Sequence, residues 1–386
     1  MLQRRQRYSL LVAVMLVFTL VLAGCGAGGG GGGAADDEII LGMVVATTGA
    51  YAGGEAPLIN GARLAVEHIN AEGGINGRQV RLVIEDTGSE QTGAVNAYSR
   101  IASQNPIAIL SSTVSAFVLA QMEQIQNAGI PTFTGGGAVA LTEQNNPWLF
   151  RVRTSDAWVP VAAATFAVEE LGAEKIGVLR VNDQMGEGWE QKIIETLAEH
   201  GLEPVGVEVH GADDKDMMPQ LLRLQNAGAE AVIVASHPPT HVVIMKQRKQ
   251  MDNPFDLIVS NSAMLPTTLE LLEADELEGV YGTVDAVPVS DPFSSDWAAE
   301  YEERFGMAAD FSAAEYYDAA IMVAEAARET DGSHQAIADY LHGIAGRKGM
   351  GNTWTFGDNG DGGSQVVIVR PSPEGLDALS TIVIDR

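Results

Sequence analysis

Gly61-Ala62-Arg63-Leu64-Ala65-Val66-Glu67-His68-Ile69-Asn70-Ala71-Glu72-Gly73-Gly74-Ile75-Asn76-Gly77-Arg78, running on into Val80-Arg81-Leu82-Val83-Ile84-Glu85-Asp86, is the stretch that decides the fold. It reads as a helix that stops at a glycine pair and turns straight back into a strand. Gly73 or Gly74 can take the left-handed conformation that closes a helix. Asn76-Gly77 makes a tight turn.

The same rhythm extends in both directions. Strand-like runs Ile39–Val45, Val80–Glu85, Ile107–Leu110 and Pro131–Phe133 alternate with helical runs Pro57–Ala71, Gln91–Ser103 and Ser115–Ala128. After Arg151 it resumes, with strands at Lys175–Leu179, Pro204–Val209, Ala231–Ala235 and Leu257–Ser260. Helices Val159–Leu171, Gly188–His200, Asp216–Ala227, Thr240–Gln250 and Pro266–Ala274 separate them. Alternating βα units give an α/β fold of parallel sheets covered by helices. Two such series predict two Rossmann-like lobes. Ser294–Leu341 reads as helical throughout. Further on, Asn352–Phe356 and Gln365–Arg370 flank Gly357-Asp358-Asn359-Gly360-Asp361-Gly362-Gly363, which reads as a hairpin turn. It lacks the alternating Asp/Asn positions and final Glu of a calcium loop.

The N-terminus fixes the compartment. Arg4, Arg5 and Arg7 precede an uncharged apolar run from Leu10 to Leu22, and Leu22-Ala23-Gly24-Cys25 ends it. This is the pattern of a secretory signal, and the run is short of the roughly 20 apolar residues that span a bilayer. The Leu-Ala-Gly-Cys ending resembles a bacterial lipobox. That resemblance implies a signal peptide over residues 1–24, cleavage before Cys25 and a lipid on its sulfur. The competing readings are an N-terminal membrane anchor with an incidental cysteine and, from Arg4-Arg5, twin-arginine export. Residues 25–37 carry a glycine tract that reads as a flexible leash. Its formal Gly-x-Gly-x-x-Gly match has neither a preceding strand nor a following helix, so it is no dinucleotide site.

The chain has 23 basic and 51 acidic residues, a net charge of −28. Without Arg4, Arg5 and Arg7 the balance is 20 against 51, or −31. Such a field repels phosphate backbones, which argues against a nucleic-acid partner. Cys25 is the one cysteine, so an intrachain disulfide, a cysteine metal site and thiolate catalysis are all excluded. No Gly-x-Ser-x-Gly, Walker loop or His-Glu-x-x-His is present, and no Ser–His–acid set accompanies the one glycine triplet. The expectation is a non-enzyme without metal or cofactor.

Taken with Val80–Asp86, the Gly61–Arg78 block resembles the leucine/isoleucine/valine-binding protein family, the type I periplasmic binding proteins. Ser111-Ser112-Thr113-Val114-Ser115, Ala128-Gly129-Ile130-Pro131, Asn182-Asp183-Gln184-Met185-Gly186-Glu187-Gly188, Tyr317-Asp318-Ala319-Ala320 and Thr355-Phe356-Gly357-Asp358-Asn359-Gly360-Asp361 strengthen the likeness. It covers the chain from Glu38 to Arg386. The resemblance implies two lobes joined by three crossovers, with a ligand in the cleft between them. Mapped here, the N-terminal lobe is 38–157 plus 286–347 and the C-terminal lobe 158–285 plus 348–386. It further implies an extracytoplasmic receptor that delivers an amino acid or related carboxylate to ABC-importer permease subunits. A sensor component, or a receptor for an aromatic acid or an amide, is the alternative.

Open α/β sheets bind ligands beyond the carboxyl ends of their strands, where helix N-termini offer unpaired N–H groups. Ser115 and Ala116 start a helix just after a strand, so Ser115 reads either as a ligand contact or as a plain N-cap. Gly135-Gly136-Gly137, with Ala138, follows the next strand and lets backbone approach a ligand, unless it is a loop without a role. In the resembling amino-acid receptors a threonine usually stands at the position of Ala138, an aromatic residue at His237 and an acid at Asn261. Those differences imply an altered grip on an α-ammonium group. Tyr51, Trp158 and Met185 belong near the cleft rims or in lobe packing. His237 and His241 are four apart, but Pro238-Pro239 prevents a regular helix across the pair. A cleft-wall loop with Thr240 capping the following helix is therefore preferred to a metal pair.

Overall fold

The structure is a computed structural model that describes residues 38–372 and 375–384. The expected signal peptide, Cys25 and the glycine leash lie outside the described residues.

The deciding stretch folds as its residues dictate. The helix Ala52–Ala71 ends where Gly73 and Gly74 take φ of 98° and 78°. Asn76 and Gly77 sit at φ 51° and 85°, and Ile75 and Arg78 exchange backbone hydrogen bonds across the turn. Asn70 then fastens helix to strand, because its amide both accepts from and donates to the backbone of Val80, at 2.7 and 2.8 Å. The helix starts five residues before the predicted Pro57. Proline favours a first-turn position, but here the Glu55 carboxylate anchors an earlier turn to the ends of two strands.

The strands form two principal sheets. The first contains β1 (Ile39–Val45), β2 (Val80–Asp86), β3 (Ala108–Ser111), β4 (Thr132–Thr134) and β5 (Leu149–Arg151). They run parallel in the order β2-β1-β3-β4-β5. The second contains β6 (Ile176–Val181), β7 (Gly206–His210), β8 (Ala231–Ala235), β9 (Asp256–Val259) and β10 (Val280–Val284), all parallel. A two-stranded ribbon, β11 (Arg347–Lys348) with β12 (Thr353–Trp354), precedes an antiparallel pair, β13 (Gln365–Ser372) and β14 (Gly375–Val383). That pair extends the second sheet beside β10, giving the order β14-β13-β10-β9-β8-β6-β7.

Each sheet is buried on both faces, as strand alternation requires. Met43 and Val45 point into a core with the helices Ala52–Ala71, Phe311–Glu329 and His334–His342, while Val44 joins Tyr98, Ile101 and Val118 on the opposite face. In β8, Val232 and Val234 face one core and Ala231, Ile233 and Ala235 the other. Gly61 lies where Ala52–Ala71 crosses Phe311–Glu329, and a methyl group there would stand 2.0 Å from the Ala313 carbonyl oxygen.

The chain passes between the sheets after β5, after β10 and before β13. The three passages are tied together. Thr154 N–H donates to Asp285 Oδ1 at 2.6 Å, the Thr154 hydroxyl to the Gln365 carbonyl, and Gln365 Nε2 to the Asp285 carbonyl at 2.8 Å.

Some expectations are corrected. Residues 357–363 are not a hairpin turn between their flanking strands. β12 pairs back with β11, Trp354 and Phe356 enter the first sheet's core, and Gly360 and Gly362 hydrogen-bond the backbone of Arg151. The glycines are needed for this approach, since a methyl group on Gly360 would stand 1.9 Å from the Leu149 carbonyl oxygen. The helix predicted over Pro266–Ala274 covers only Pro266–Leu269. His237 rather than Thr240 stands before the next helix, which starts at Pro238; Thr240 lies inside it and donates to the Ala212 carbonyl. Proline's fixed φ suits that first turn, so the two prolines begin the helix.

Candidate functional site

The carboxyl ends of β3 and β4 build one wall. Ser112 and Thr113 are fixed by Glu55, which is 1% exposed. Its carboxylate accepts from the Ala46 N–H and the Ser112 hydroxyl, and from Thr113 N and Oγ1 at 2.9 and 3.2 Å. Burial raises the Glu55 pKa, and these hydrogen bonds oppose the shift. The helix Ser115–Ala128 begins directly after this anchor.

Ser115 Oγ accepts from the Ala138 N–H at 3.1 Å, joining the helix start to the glycine loop. Gly135 N–H donates to Tyr316 Oη and Gly136 N–H to Thr134 Oγ1, both at 2.9 Å. Those two amides are thus spent on the loop itself. The N–H groups of Ser115, Ala116 and Gly137 carry no hydrogen bond within the described residues. Ala138 is buried in the core with Val118 and Leu141, so it offers backbone and no side-chain polar group.

Arg151 shapes this loop, and sequence reasoning missed it. Its guanidinium is wholly buried and bidentate to Asp361, with both contacts at 3.0 Å. It also donates to the carbonyls of Gly137 and Ala138 at 2.9 Å and to Thr142 Oγ1 at 2.7 Å. Asp156 was missed as well. A methyl group on Gly137 would stand 2.4 Å from Asp156 Oδ1, and Arg153 pairs with that oxygen at 3.1 Å.

The second wall comes from the carboxyl ends of β6, β8 and β9. Asp183 caps the helix Gln184–Glu199 by accepting from Gly186 N at 2.9 Å, and its other oxygen meets His237 Nε2 at 2.7 Å. Although burial opposes it, the His237 and Gly186 hydrogen bonds bring the Asp183 pKa below its usual value. Met185, next to the cap, packs half-buried against the core that holds Trp189. Asn261 opens the short 3₁₀ turn Asn261–Met264, with a half-buried amide that has no partner among the described residues. His241 turns elsewhere, with Nε2 at 3.1 Å from the Ser236 carbonyl and 3.0 Å from Ser260 Oγ. Burial depresses its pKa to about 3, so it is neutral. The two histidines therefore serve different partners.

The walls meet at Tyr51. Its ring lies edge-on to Phe117 of the first wall at 5.5 Å and to His237 of the second at 6.5 Å. Burial first, then the Asp183 charge, raises its pKa. Trp158 starts the helix Val159–Thr165 and remains 40% exposed. The arrangement joins unengaged N–H groups at a helix N-terminus on one side to a carboxylate–imidazole pair and a free amide on the other. It suits holding an anion with a second polar end.

A profile of the periplasmic binding proteins matches residues 38–372. The chain belongs to that family. An amino acid binding protein from Pseudomonas aeruginosa is 29% identical over 216 residues, 55% of this chain and 58% of that protein's length. Among solved structures, the branched-chain amino acid transporter substrate-binding protein of Streptococcus pneumoniae, in complex with isoleucine, superposes with a TM-score of 0.82 at 20% identity, over 90% of this chain and 100% of that one. A solute-binding protein of an ABC transporter from Rhodopseudomonas palustris, in complex with 3,4-dihydroxybenzoic acid, gives 0.80 at 18% identity, over 91% and 99%. These likenesses give the two-sheet periplasmic binding protein fold, built by a family of solute-binding proteins.

Proposed function

We propose that this chain is the extracytoplasmic, lipid-anchored receptor of an ABC importer. It binds a small amino acid or related carboxylate between the two sheets and delivers it to the permease subunits. The first lobe is 38–157 plus 286 to about 364 and the second 158–285 plus the chain from Gln365 on, the last passage falling later than position 348 because Trp354 and Phe356 pack in the first sheet's core and Gly360 and Gly362 bond Arg151. The observation that carries the reading is the set of unengaged N–H groups at Ser115, Ala116 and Gly137, facing anionic-ligand chemistry at a helix N-terminus. Second-wall contacts come from His237, Asp183 and Asn261, with Met185, Tyr51 and Trp158 at the rims. Membrane attachment rests on Cys25; among the described residues no helix is long and apolar enough to cross a membrane.

A second reading, an aromatic acid as ligand, is favoured by the rings of Tyr51, Phe117 and His237 at the junction. Calorimetry with leucine, valine, phenylacetate and a neutral amide decides between them. The receptor reading expects a carboxylate to be required and the ligand to be recovered unchanged. Binding of the amide alone, or turnover of any ligand, refutes it.

A further inference from the structure

The first wall offers N–H groups to a carboxylate, while the second offers an imidazole already paired with Asp183 and the neutral amide of Asn261. A cationic group on the ligand therefore needs an acid from elsewhere. Most carboxylates nearby are spent. Glu55 accepts from Ala46, Ser112 and Thr113, and Asp183 from Gly186 and His237. Asp361 is bidentate to Arg151, and Asp285 accepts the Thr154 N–H. Asp156 is the exception. Its Oδ1 takes one hydrogen bond, from Arg153 Nη2 at 3.1 Å, and its Oδ2 takes none from any described residue. The side chain is only 7% exposed, so water does little to solvate that oxygen. Asp156 is also fastened to the glycine loop. Its N–H donates to the Gly137 carbonyl at 2.9 Å, and a methyl group on Gly137 would stand 2.4 and 2.6 Å from the two carboxylate oxygens. The carboxylate thus lies directly against the α-carbon of a residue whose own N–H is unengaged.

We infer that Asp156 binds the α-ammonium group of the ligand, so that the receptor takes an α-amino acid with both charged groups held on the first wall. The two groups of an amino acid stand on one carbon. A carboxylate held by the N–H groups of Ser115, Ala116 and Gly137 brings its ammonium beside Gly137, where Asp156 Oδ2 accepts from it. A charge-assisted bond in so dry a place is strong. The resembling receptors carry an acid at the position of Asn261, on the opposite wall; here the counter-charge comes from the same wall as the carboxylate cradle. Arg153 tunes the contact. Its Nε is tied to the Thr154 carbonyl at 3.1 Å, so the guanidinium stays on Oδ1, holds Asp156 in place and leaves one oxygen to the ligand. A carboxylic acid without the amino group leaves that oxygen buried and unpaired and meets its charge at close range, which costs affinity. The inference rests on the receptor reading and narrows it to an amino acid rather than an aromatic acid.

The test is calorimetry on the full chain with matched pairs of amino acid and deamino acid: leucine and isocaproate, valine and isovalerate, phenylalanine and hydrocinnamate. In the parent protein at least one amino acid should bind about 30-fold or more tighter than its partner, the effect of leaving one side of a buried charge pair empty. Asp156→Asn keeps an acceptor for Arg153 and removes the charge. There the ratio should collapse toward one, through lost amino-acid affinity and not through the deamino acid. A purely structural role would weaken both members of a pair alike and leave the ratio where it was. Should Asp156→Asn fail to fold, Arg153→Gln gives the second measurement. Taking away the competing cation should raise the ratio above the parent's, because the ammonium gains and the lone carboxylate loses. Equal binding within every pair in the parent, an unchanged ratio in Asp156→Asn, or no rise in Arg153→Gln overturns the inference and leaves a carboxylate receptor standing. Binding of none of the six by the parent overturns the carboxylate-receptor reading and the inference together.

Discussion

Replacing Arg151 with methionine should be among the most damaging single changes in the protein. The guanidinium is fully buried, and all of its N–H groups are engaged by Asp361, the Gly137 and Ala138 carbonyls and Thr142. Methionine matches much of the stem but none of the donors. It strands a carboxylate that is only 13% exposed and leaves carbonyls of the glycine loop without their donor. Adding up the individual bonds would overshoot, because burying the guanidinium cost solvation. Breaking a buried pair from one side costs about 3–5 kcal/mol. With an m-value of about 3 kcal/mol/M, the urea midpoint should fall by roughly 1–1.7 M. Arg151→Met combined with Asp361→Asn should recover part of that loss, since the stranded charge is gone. Arg151→Lys should fall between, because an ammonium cannot span the same fork of acceptors. A loss below about 1 kcal/mol in Arg151→Met would refute the reasoning and class the pair with surface ion pairs.

Other outcomes follow from the same residues. Ser115→Ala should weaken carboxylate binding by about 1.5–3 kcal/mol, roughly 10- to 150-fold, by calorimetry; retained affinity removes the anion site from this position. Cys25→Ser should release the protein from membranes into the aqueous fraction with its ligand affinity intact, and a variant that stays membrane-bound contradicts the lipobox. His241, depressed to about 3 in the folded chain, binds its proton only in the unfolded chain between the two ionisations. Its contribution is present above the unfolded pKa of about 6.5 and declines as the pH falls toward the folded value. His241→Asn should therefore flatten the fall in melting temperature between about pH 6.5 and pH 4; an unchanged slope rules this histidine out.

Local signals carried most of the fold. The helix Ser115–Ala128 and the strands Ile39–Val45 and Ala231–Ala235 keep the limits read from sequence, because each pairs clear periodicity with a turn signal at its ends. The tail was misread because glycines and aspartates that favour turns serve equally where backbone must press against another strand, as Gly360 does beside Leu149. Around the site, Ser115 and the glycine triplet were legible from their place after strands. Glu55, Arg151 and Asp156 were not. Glu55 and Arg151 meet Ser112, Thr113 and Asp361, dozens to hundreds of residues away, and a lone charge carries no local sign of so distant a partner. Asp156 pairs with Arg153 three residues before it, and only the fold brings Gly137 against it.

The crossing at Gly61 bears on how such a chain is made. Residues 39–151 contain every strand of the first sheet, yet one side of its core is closed by Phe311–Glu329, Trp354 and Phe356. A ribosome or a translocation channel releases the strands long before the helix that seals them. Until about residue 356 has emerged, the first half exposes the apolar surface that should meet that helix, and contacts so distant in sequence form slowly. For a chain expected to leave the cytoplasm, that delay is an advantage. It keeps the polypeptide threadable until export is nearly complete, and folding can then finish on the far side.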